Sequence, residues 1–185
     1  AAQQFATDVI APNAENWEVL GRVPDDSFEQ AAELGLCGLL VPQALGGGGL
    51  EVGGMAAVME VLASACMSSA FSLVVHNNAA GFIGRHGSQA QIDRFIPDML
   101  CGRKIGAFLL TEPQAGSDAQ SITTSAERTA EGWLINGEKA WVSNGTFADV
   151  LSVYVQTEPG AGAQGIATFL IDANETGVTR KDGYK

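Results

Sequence analysis

Two short stretches of this chain combine residue types that can stack against and hydrogen-bond a planar ligand. One is Leu110-Thr111-Glu112-Pro113-Gln114-Ala115-Gly116-Ser117-Asp118. The other starts thirty positions after its threonine, at Trp141-Val142-Ser143-Asn144-Gly145. The first reads as a β-strand running into a turn crowded with hydroxyls, small residues and carboxylates. The second reads as a strand with an indole and a hydroxyl two residues apart, so that Trp141 and Ser143 share a face and Val142 turns toward the core. A broad ring to stack on, with small polar groups at its rim, suits a flat aromatic cofactor. Taken singly, Thr111-Glu112-Pro113 is an ordinary strand end and Asn144-Gly145 an ordinary turn. Their order and spacing make the pair informative.

Other chemistry-bearing residues fall away on inspection. His76 and His86 lie ten apart with no third ligand patterned near them, so they read as helix residues and not as a metal site. Cys37, Cys66 and Cys101 are far apart, odd in number and in no CxxC arrangement, which argues against a zinc site or a disulfide framework. Gly160-Ala161-Gly162-Ala163-Gln164-Gly165 matches GxGxxG literally, but in a chain with 23 glycines the pattern alone is weak. That motif works by presenting a helix N-terminus to a pyrophosphate. Here an apolar, strand-like run, Ile166 to Ile171, follows instead, so the glycines read as a hairpin loop. Gly46 to Gly49 lacks the Lys-Ser/Thr ending of a P-loop and reads as a flexible loop.

Composition bounds the class. The 185 residues are 46% hydrophobic and 17% charged, which describes a folded chain able to bury one or two cores. A formal net charge of −11 argues against a nucleic-acid or anionic-membrane surface, since both need concentrated Lys and Arg. No apolar run reaches membrane-spanning length, and no signal peptide is visible. Scattered free thiols fit a reducing compartment, bacterial cytoplasm or mitochondrial matrix. The chain begins at Ala1 without methionine, which reads as a truncated N-terminus.

The elements that must position the two stretches change character near residue 103. Before it the apolar spacing is helical. Pro24-Asp25-Asp26-Ser27 opens a helix that runs to about Leu34 and stops at Gly35. Leu36 to Val41 is a short apolar connector closed by Pro42. Met55, Val58, Met59, Leu62, Ala63 and Cys66 form a buried helical stripe. Phe71, Val74, Val75, Asn78 and Phe82 continue it in a second helix ending near Gly84. Ser88 with Gln91 reads as a capping box for a third, through Ile92, Phe95 and Ile96, which Pro97 breaks or kinks. From Ile105 the period shortens to that of strands: Ile105–Thr111, Thr123–Arg128, Trp133–Ile135, Glu138–Ser143, Val150–Gln156, Ile166–Ile171 and Val178–Lys181. Asn136-Gly137 is expected to link Trp133–Ile135 and Glu138–Ser143 as a hairpin. The expected architecture is α+β: a helical domain, residues 1–103, then a small antiparallel β-barrel or sandwich, residues 104–185, incomplete at its C-terminal end.

The motif LTEPxAGSD followed by WVSNG resembles the flavin-binding signature of acyl-CoA dehydrogenases. The flanks are similar too: Ala31-Ala32-Glu33-Leu34-Gly35-Leu36-Cys37-Gly38 with Val41-Pro42 looks like that family's helix-to-loop segment, and Asn136-Gly137-Glu138-Lys139-Ala140-Trp141 looks like its NGxKxW. The likeness spans nearly the whole chain and matches the family's N-terminal helical and middle β domains. It implies FAD as cofactor, bound through Phe108, Leu110, Thr111, Gly116, Ser117, Trp141, Val142 and Ser143. Thr111 is expected at the pyrimidine side of the flavin, Trp141 against the isoalloxazine, and the Ser143 hydroxyl near its reactive nitrogen. Gly116 and Ser117 are expected by the ribityl-phosphate, with Ser117 also meeting the substrate. Gln114 departs from the small residue often found at its position. His76 and Asn77 correspond roughly to a helix that lines the acyl pocket.

The resemblance further implies α,β-dehydrogenation of an acyl-CoA thioester, as in fatty acid metabolism. Electrons then pass to an electron-transfer flavoprotein, and the full-length protein forms a homotetramer or dimer. No carboxylate of this chain is a convincing catalytic base. Glu112 and Asp118 read as structural, and the base is expected beyond Lys185, so the chain reads as a fragment, inactive alone. Two alternatives stay open: an acyl-CoA oxidase or flavin monooxygenase on the same fold, and a non-catalytic binding module that keeps the fold.

Overall fold

The computed structural model describes residues 1–181. The chain divides into two compact units, Ala1–Gly106 and a second that begins at Ala107. The first is helical, and among the described residues the strands belong to the second, the earliest of them starting at the boundary. The order, helices and then a small sheet, is the one expected from the change in hydrophobic period.

In the helical unit α1 (Ala2–Phe5) continues through a π-helical turn, Ala6–Ile10, into α2 (Ala11–Leu20). Then come α3 (Asp25–Glu33), α4 (Val52–Ala63), α5 (Met67–His86) and α6 (Gln89–Leu100). Two acidic residues stand in the first turn of α3, where they oppose the helix dipole, and Gly35 at φ +74° ends the helical path. The Ser88–Gln91 capping box is formed in both directions. Phe28, Leu62, Ile83, Ile96 and Met99 are among the fully buried side chains of the core.

Two expectations for these helices change. Pro97 does not end α6, which runs through it to Leu100. The buried face of α5 is also wider and smaller in side chain than the expected stripe. It uses Ser69, Ala70, Leu73, Val75, His76, Asn77, Ala79, Ala80 and Ile83, while Phe71 is half exposed.

The apolar connector Leu36–Val41 is buried without belonging to a helix or strand, so its backbone groups need partners. Asn77 on α5 supplies two: its Oδ1 accepts Leu39 N–H at 2.7 Å and its Nδ2 donates to Leu36 O at 2.8 Å, while the second Nδ2 hydrogen goes to Leu73 O on its own helix at 2.9 Å. The glycine run supplies more, with Gly48, Gly49 and Leu50 N–H bonded to the carbonyls of Gly38, Val41 and Leu39. A Cβ at Gly47 would sit 2.2 Å from Val41 O, so glycine is required there for close approach. The run read as a flexible loop is thus a packed flap.

In the second unit the strands are β1 (Gly106–Leu109), β2 (Ser125–Arg128), β3 (Trp133–Asn136), β4 (Val150–Gln156) and β5 (Ile166–Asp172). The sheet path is β1-β4-β2-β3, and β5 pairs with β4 along its whole length, from Val150↔Asp172 to Gln156↔Ile166. The Gly162–Gly165 turn that joins them is followed by a strand, not by the helix a dinucleotide motif requires. The sheet is mixed, because β2 meets β4 in parallel at Ser125↔Gln156. Among the described residues no ladder joins β3 to β5, so it stays open where a barrel or sandwich of antiparallel strands was expected. Its core gathers Ala107, Ala126, Leu151, Val153 and Val155, with Leu109, Ile135, Val142 and Phe169 against them.

Two expected strands are absent. Val178–Lys181 is irregular, and so is Glu138–Ser143. With the latter goes the Asn136-Gly137 hairpin, since β3 turns back on β2 through Thr129–Gly132 instead. The expected continuation at Asp182-Gly183-Tyr184-Lys185 lies outside the described residues.

Truncating Asn77 leaves the Leu39 N–H and the Leu36 carbonyl buried without partners. Asn77→Ala is expected to lower the unfolding free energy of the helical unit by about 2–4 kcal/mol. Chemical denaturation followed by far-UV circular dichroism checks this, and a loss near zero refutes the clamp.

Candidate functional site

The site is assembled by the turn that follows β1. Glu112 N–H and Ala115 N–H each bond the other's carbonyl, at 2.9 and 3.1 Å, with Pro113 at the second position of the turn. This swings the Glu112 side chain inward, where it is 2% exposed.

Its carboxylate is saturated with donors. Oε2 accepts from Thr123 N–H at 2.7 Å, Thr123 Oγ1 at 3.0 Å and Gln114 Nε2 at 2.6 Å. Oε1 accepts from Thr124 N–H at 3.0 Å and from the Lys139 ammonium at 2.7 Å. Burial alone would push this carboxyl up. Lys139 and the donors of Thr123 and Thr124 outweigh burial and hold it well below the usual carboxylate range. Glu112 is therefore a fixed anion and not a proton shuttle.

Lys139 reaches this spot because the chain from Asn136 passes close to Thr124. A Cβ at Gly137 would lie 2.4 Å from Thr124 Oγ1, so the Asn-Gly pair serves a close crossing rather than a hairpin. The Lys139 side chain is buried, and its ammonium also donates to Leu110 O at 3.0 Å. The next residue donates as well: Ala140 N–H bonds Thr111 O at 2.9 Å. Both carbonyls at the strand end are thus bonded by two consecutive residues, Lys139 and Ala140.

Trp141 follows at once, with φ +57°, a left-handed conformation that costs a bulky residue about 1–2 kcal/mol. Asn144, at φ +65°, is the other non-glycine residue with positive φ among those described. Asn144 O accepts Phe147 N–H at 3.0 Å and Ala148 N–H at 2.7 Å, which closes the turn. Such strain concentrates where a fold must present a side chain in one way. The indole that results is 68% exposed, whereas Val142 packs on the sheet core and Ser143 is half-buried. A strained turn, not strand alternation, separates Trp141 from Val142.

The structure therefore brings Leu110 and Thr111 beside the segment that carries Trp141. Thr111 commits only its carbonyl among the described residues, leaving its N–H and hydroxyl available. Phe108 projects from β1 opposite the core residues Ala107 and Leu109, with its ring 4.7 Å from that of Tyr154. Gly116 and Ser117 lie exposed past the Glu112–Ala115 turn, and among the described residues nothing beyond its chain neighbours lies within 4 Å of a Cβ built at Gly116. Asp118 accepts from Ser121 Oγ.

His76 and Asn77 are fully buried. His76 Nδ1 accepts Gly106 N–H at 3.2 Å, and burial pushes its pKa down to about 4, so the ring is neutral at pH 7. Sequence reasoning missed Lys139, although its place in NGxKxW was the available signal.

The family model described as acyl-CoA dehydrogenase, N-terminal domain, matches residues 1–103, and the acyl-CoA dehydrogenase middle domain matches residues 107–185. The mitochondrial isobutyryl-CoA dehydrogenase of Dictyostelium discoideum is 35% identical over 178 residues, which are 96% of this chain and 43% of that protein. The structure of a probable acyl-CoA dehydrogenase from Mycobacterium abscessus superposes with a TM-score of 0.87 at 35% identity, covering 95% of this chain and 47% of that one. The FAD complex of PigA superposes at 0.86 with 30% identity, over 95% and 47%. The chain thus spans under half the length of the relatives it matches.

The Glu112–Lys139 pair makes the second unit acid-sensitive in a defined window. A carboxyl depressed by folding contributes stability that is complete above its unfolded pKa of about 4.3 and is lost as pH falls toward the folded value. Glu112→Gln is expected to cost about 3–5 kcal/mol at pH 7, because Lys139 stays buried without its counter-charge. The variant should also flatten the fall in stability below about pH 4.3. Denaturation curves collected from pH 7 to 3 check both, and parallel curves for the two proteins would remove Glu112 from the account.

Proposed function

Because the chain belongs to the acyl-CoA dehydrogenase family, we propose that its strand-end turn and its Trp141 turn hold FAD for α,β-dehydrogenation of an acyl-CoA thioester. The observation that carries this reading is the Ala140–Thr111 hydrogen bond. It sets an exposed indole one residue from a strand end whose N–H and hydroxyl remain available. FAD is the ligand of the similar PigA complex, and the donor chemistry here fits it. The pyrimidine edge of the flavin takes hydrogen bonds, and its tricyclic body takes stacking.

In this reading Thr111 and Leu110 hold the polar edge, with Phe108 on the same strand. Trp141 forms the wall against the ring, joined by the backbone of Val142, whose side chain packs on the sheet core, and the Ser143 hydroxyl stands at the rim. Gly116 and Ser117 admit the phosphate-bearing arm and the thioester. The open space about Gly116 supports this, because among the described residues no packed neighbour accounts for glycine there.

FAD, when bound, supplies the acceptor for the hydride that leaves the β carbon as the α proton is lost. The protein orients the thioester, excludes water from the ring and positions a base. Glu112 is unfit as that base, since five donors, the Lys139 ammonium among them, outweigh burial and hold it as a fixed anion. The base comes from elsewhere in the full-length protein. We assign the substrate to acyl-CoA thioesters, the electron acceptor to an electron-transfer flavoprotein, and the full-length protein to a homo-oligomer. Its compartment is the bacterial cytoplasm or the mitochondrial matrix.

Full-length protein is expected to purify yellow, to bleach on anaerobic addition of acyl-CoA and to stay bleached until an electron acceptor is supplied. Fast recolouring in air alone points to an oxidase instead. Trp141→Ala and Thr111→Ala are each expected to weaken FAD binding about tenfold, near 1.4 kcal/mol. Fluorescence titration of apoprotein measures this, and unchanged affinity in both variants refutes the site assignment.

A further inference from the structure

A buried ion pair is a costly way to hold a sheet together, because two apolar side chains of similar volume often stabilise as well or better. Lys139 makes a contact that pairing with Glu112 does not require: its ammonium also donates to Leu110 O at 3.0 Å. The residue after it donates to Thr111 O, and the residue after that is the strained, exposed Trp141. Glu112 in turn is anchored by Thr123 and Thr124, so the lysine bears on a fixed point and not on a mobile carboxylate. The two consecutive carbonyls of the strand end, Leu110 and Thr111, are thereby drawn toward the 139–140 segment.

The geometry points to Lys139 as a positioning residue that sets the register between the Leu110–Thr111 strand end and the Trp141 turn, and so the spacing between the groups that meet the edge and the face of the flavin. This rests on the flavin-site reading above. It adds that the affinity and asymmetry of the bound ring are governed by a side chain that does not touch it. A purely structural staple predicts that stability alone changes when Lys139 is altered. A register clip predicts that the environment of the ring changes in protein that remains folded.

The test uses full-length protein with Lys139→Met, which keeps the length of the side chain and removes both donor and charge. Far-UV circular dichroism establishes folding. FAD affinity is then measured by fluorescence titration, and the visible circular dichroism of the bound flavin reports the ring's surroundings. The expected result is an affinity at least about tenfold weaker, with an altered visible spectrum. Lys139→Arg, which retains a charged donor for Leu110 O, is expected to recover the wild-type spectrum and most of the affinity. If Lys139→Met does not fold, the double variant E112Q/K139M leaves no unpaired charge and is read in the same way. Affinity within twofold of wild type with an unchanged spectrum overturns the positioning role. Failure of the wild-type protein to take up FAD overturns the flavin reading itself, so the two failures are distinguishable.

Discussion

The buried pair of Glu112 and Lys139 is the constraint on which the site depends. It joins three segments that are distant in sequence: the turn after β1, the approach to β2 at Thr123 and Thr124, and the irregular run from Gly137 to Ala140. A carboxylate in this setting is tolerable only because every lone pair direction finds a donor and a cation lies at 2.7 Å. Removing either member leaves the other charged and buried, which is why the pair behaves as one unit. Its geometry also dictates the neighbours. Gly137 must be glycine so that the chain can pass Thr124, and Trp141 must take a left-handed conformation directly after Ala140 is tied to Thr111.

The helical unit solves a related problem without charge. A six-residue apolar connector lies in the interior with no helix or strand of its own, and its backbone is satisfied by one amide side chain and a flap of glycines. Asn77 uses both ends of its amide there, with both of its N–H donors committed to backbone carbonyls. His76 beside it is neutral through burial and engaged at Nδ1 by Gly106 N–H. In both units polar residues that resemble functional candidates by type are committed to holding irregular backbone. The candidate site combines small groups, the N–H and hydroxyl of Thr111 and the hydroxyl of Ser143, with the exposed indole of Trp141.

The helices and most strands were legible because their signals are local. The Ser88–Gln91 box closes within three residues, the acidic start of α3 meets its own helix dipole, and β4 and β5 are marked by the apolar, β-prone composition of each run. The misreadings share a cause. Asn136-Gly137 has the composition of a hairpin turn, but the Thr129–Gly132 turn pairs β3 with β2 first, and the glycine then serves the crossing over Thr124. Pro97 stands near the end of α6, where the amphipathic burial of Phe95, Ile96 and Met99 holds the helix through it. Phe71 fits a helical stripe by spacing, yet α5 packs on its small residues and leaves the ring half exposed.

By itself the sequence determined the change from helical to strand period near residue 103, and the two motifs that identify the family. Those properties follow from side-chain type and spacing along the chain. Only the tertiary structure decided that Glu112 is a buried anion, that Lys139 is its partner across 27 positions, and that Trp141 is presented by a strained turn and not by a strand. It also decided that the sheet is mixed and open, since the parallel contact of β2 with β4 joins residues 31 positions apart. Such pairings depend on burial and on which distant groups meet. No local propensity encodes them.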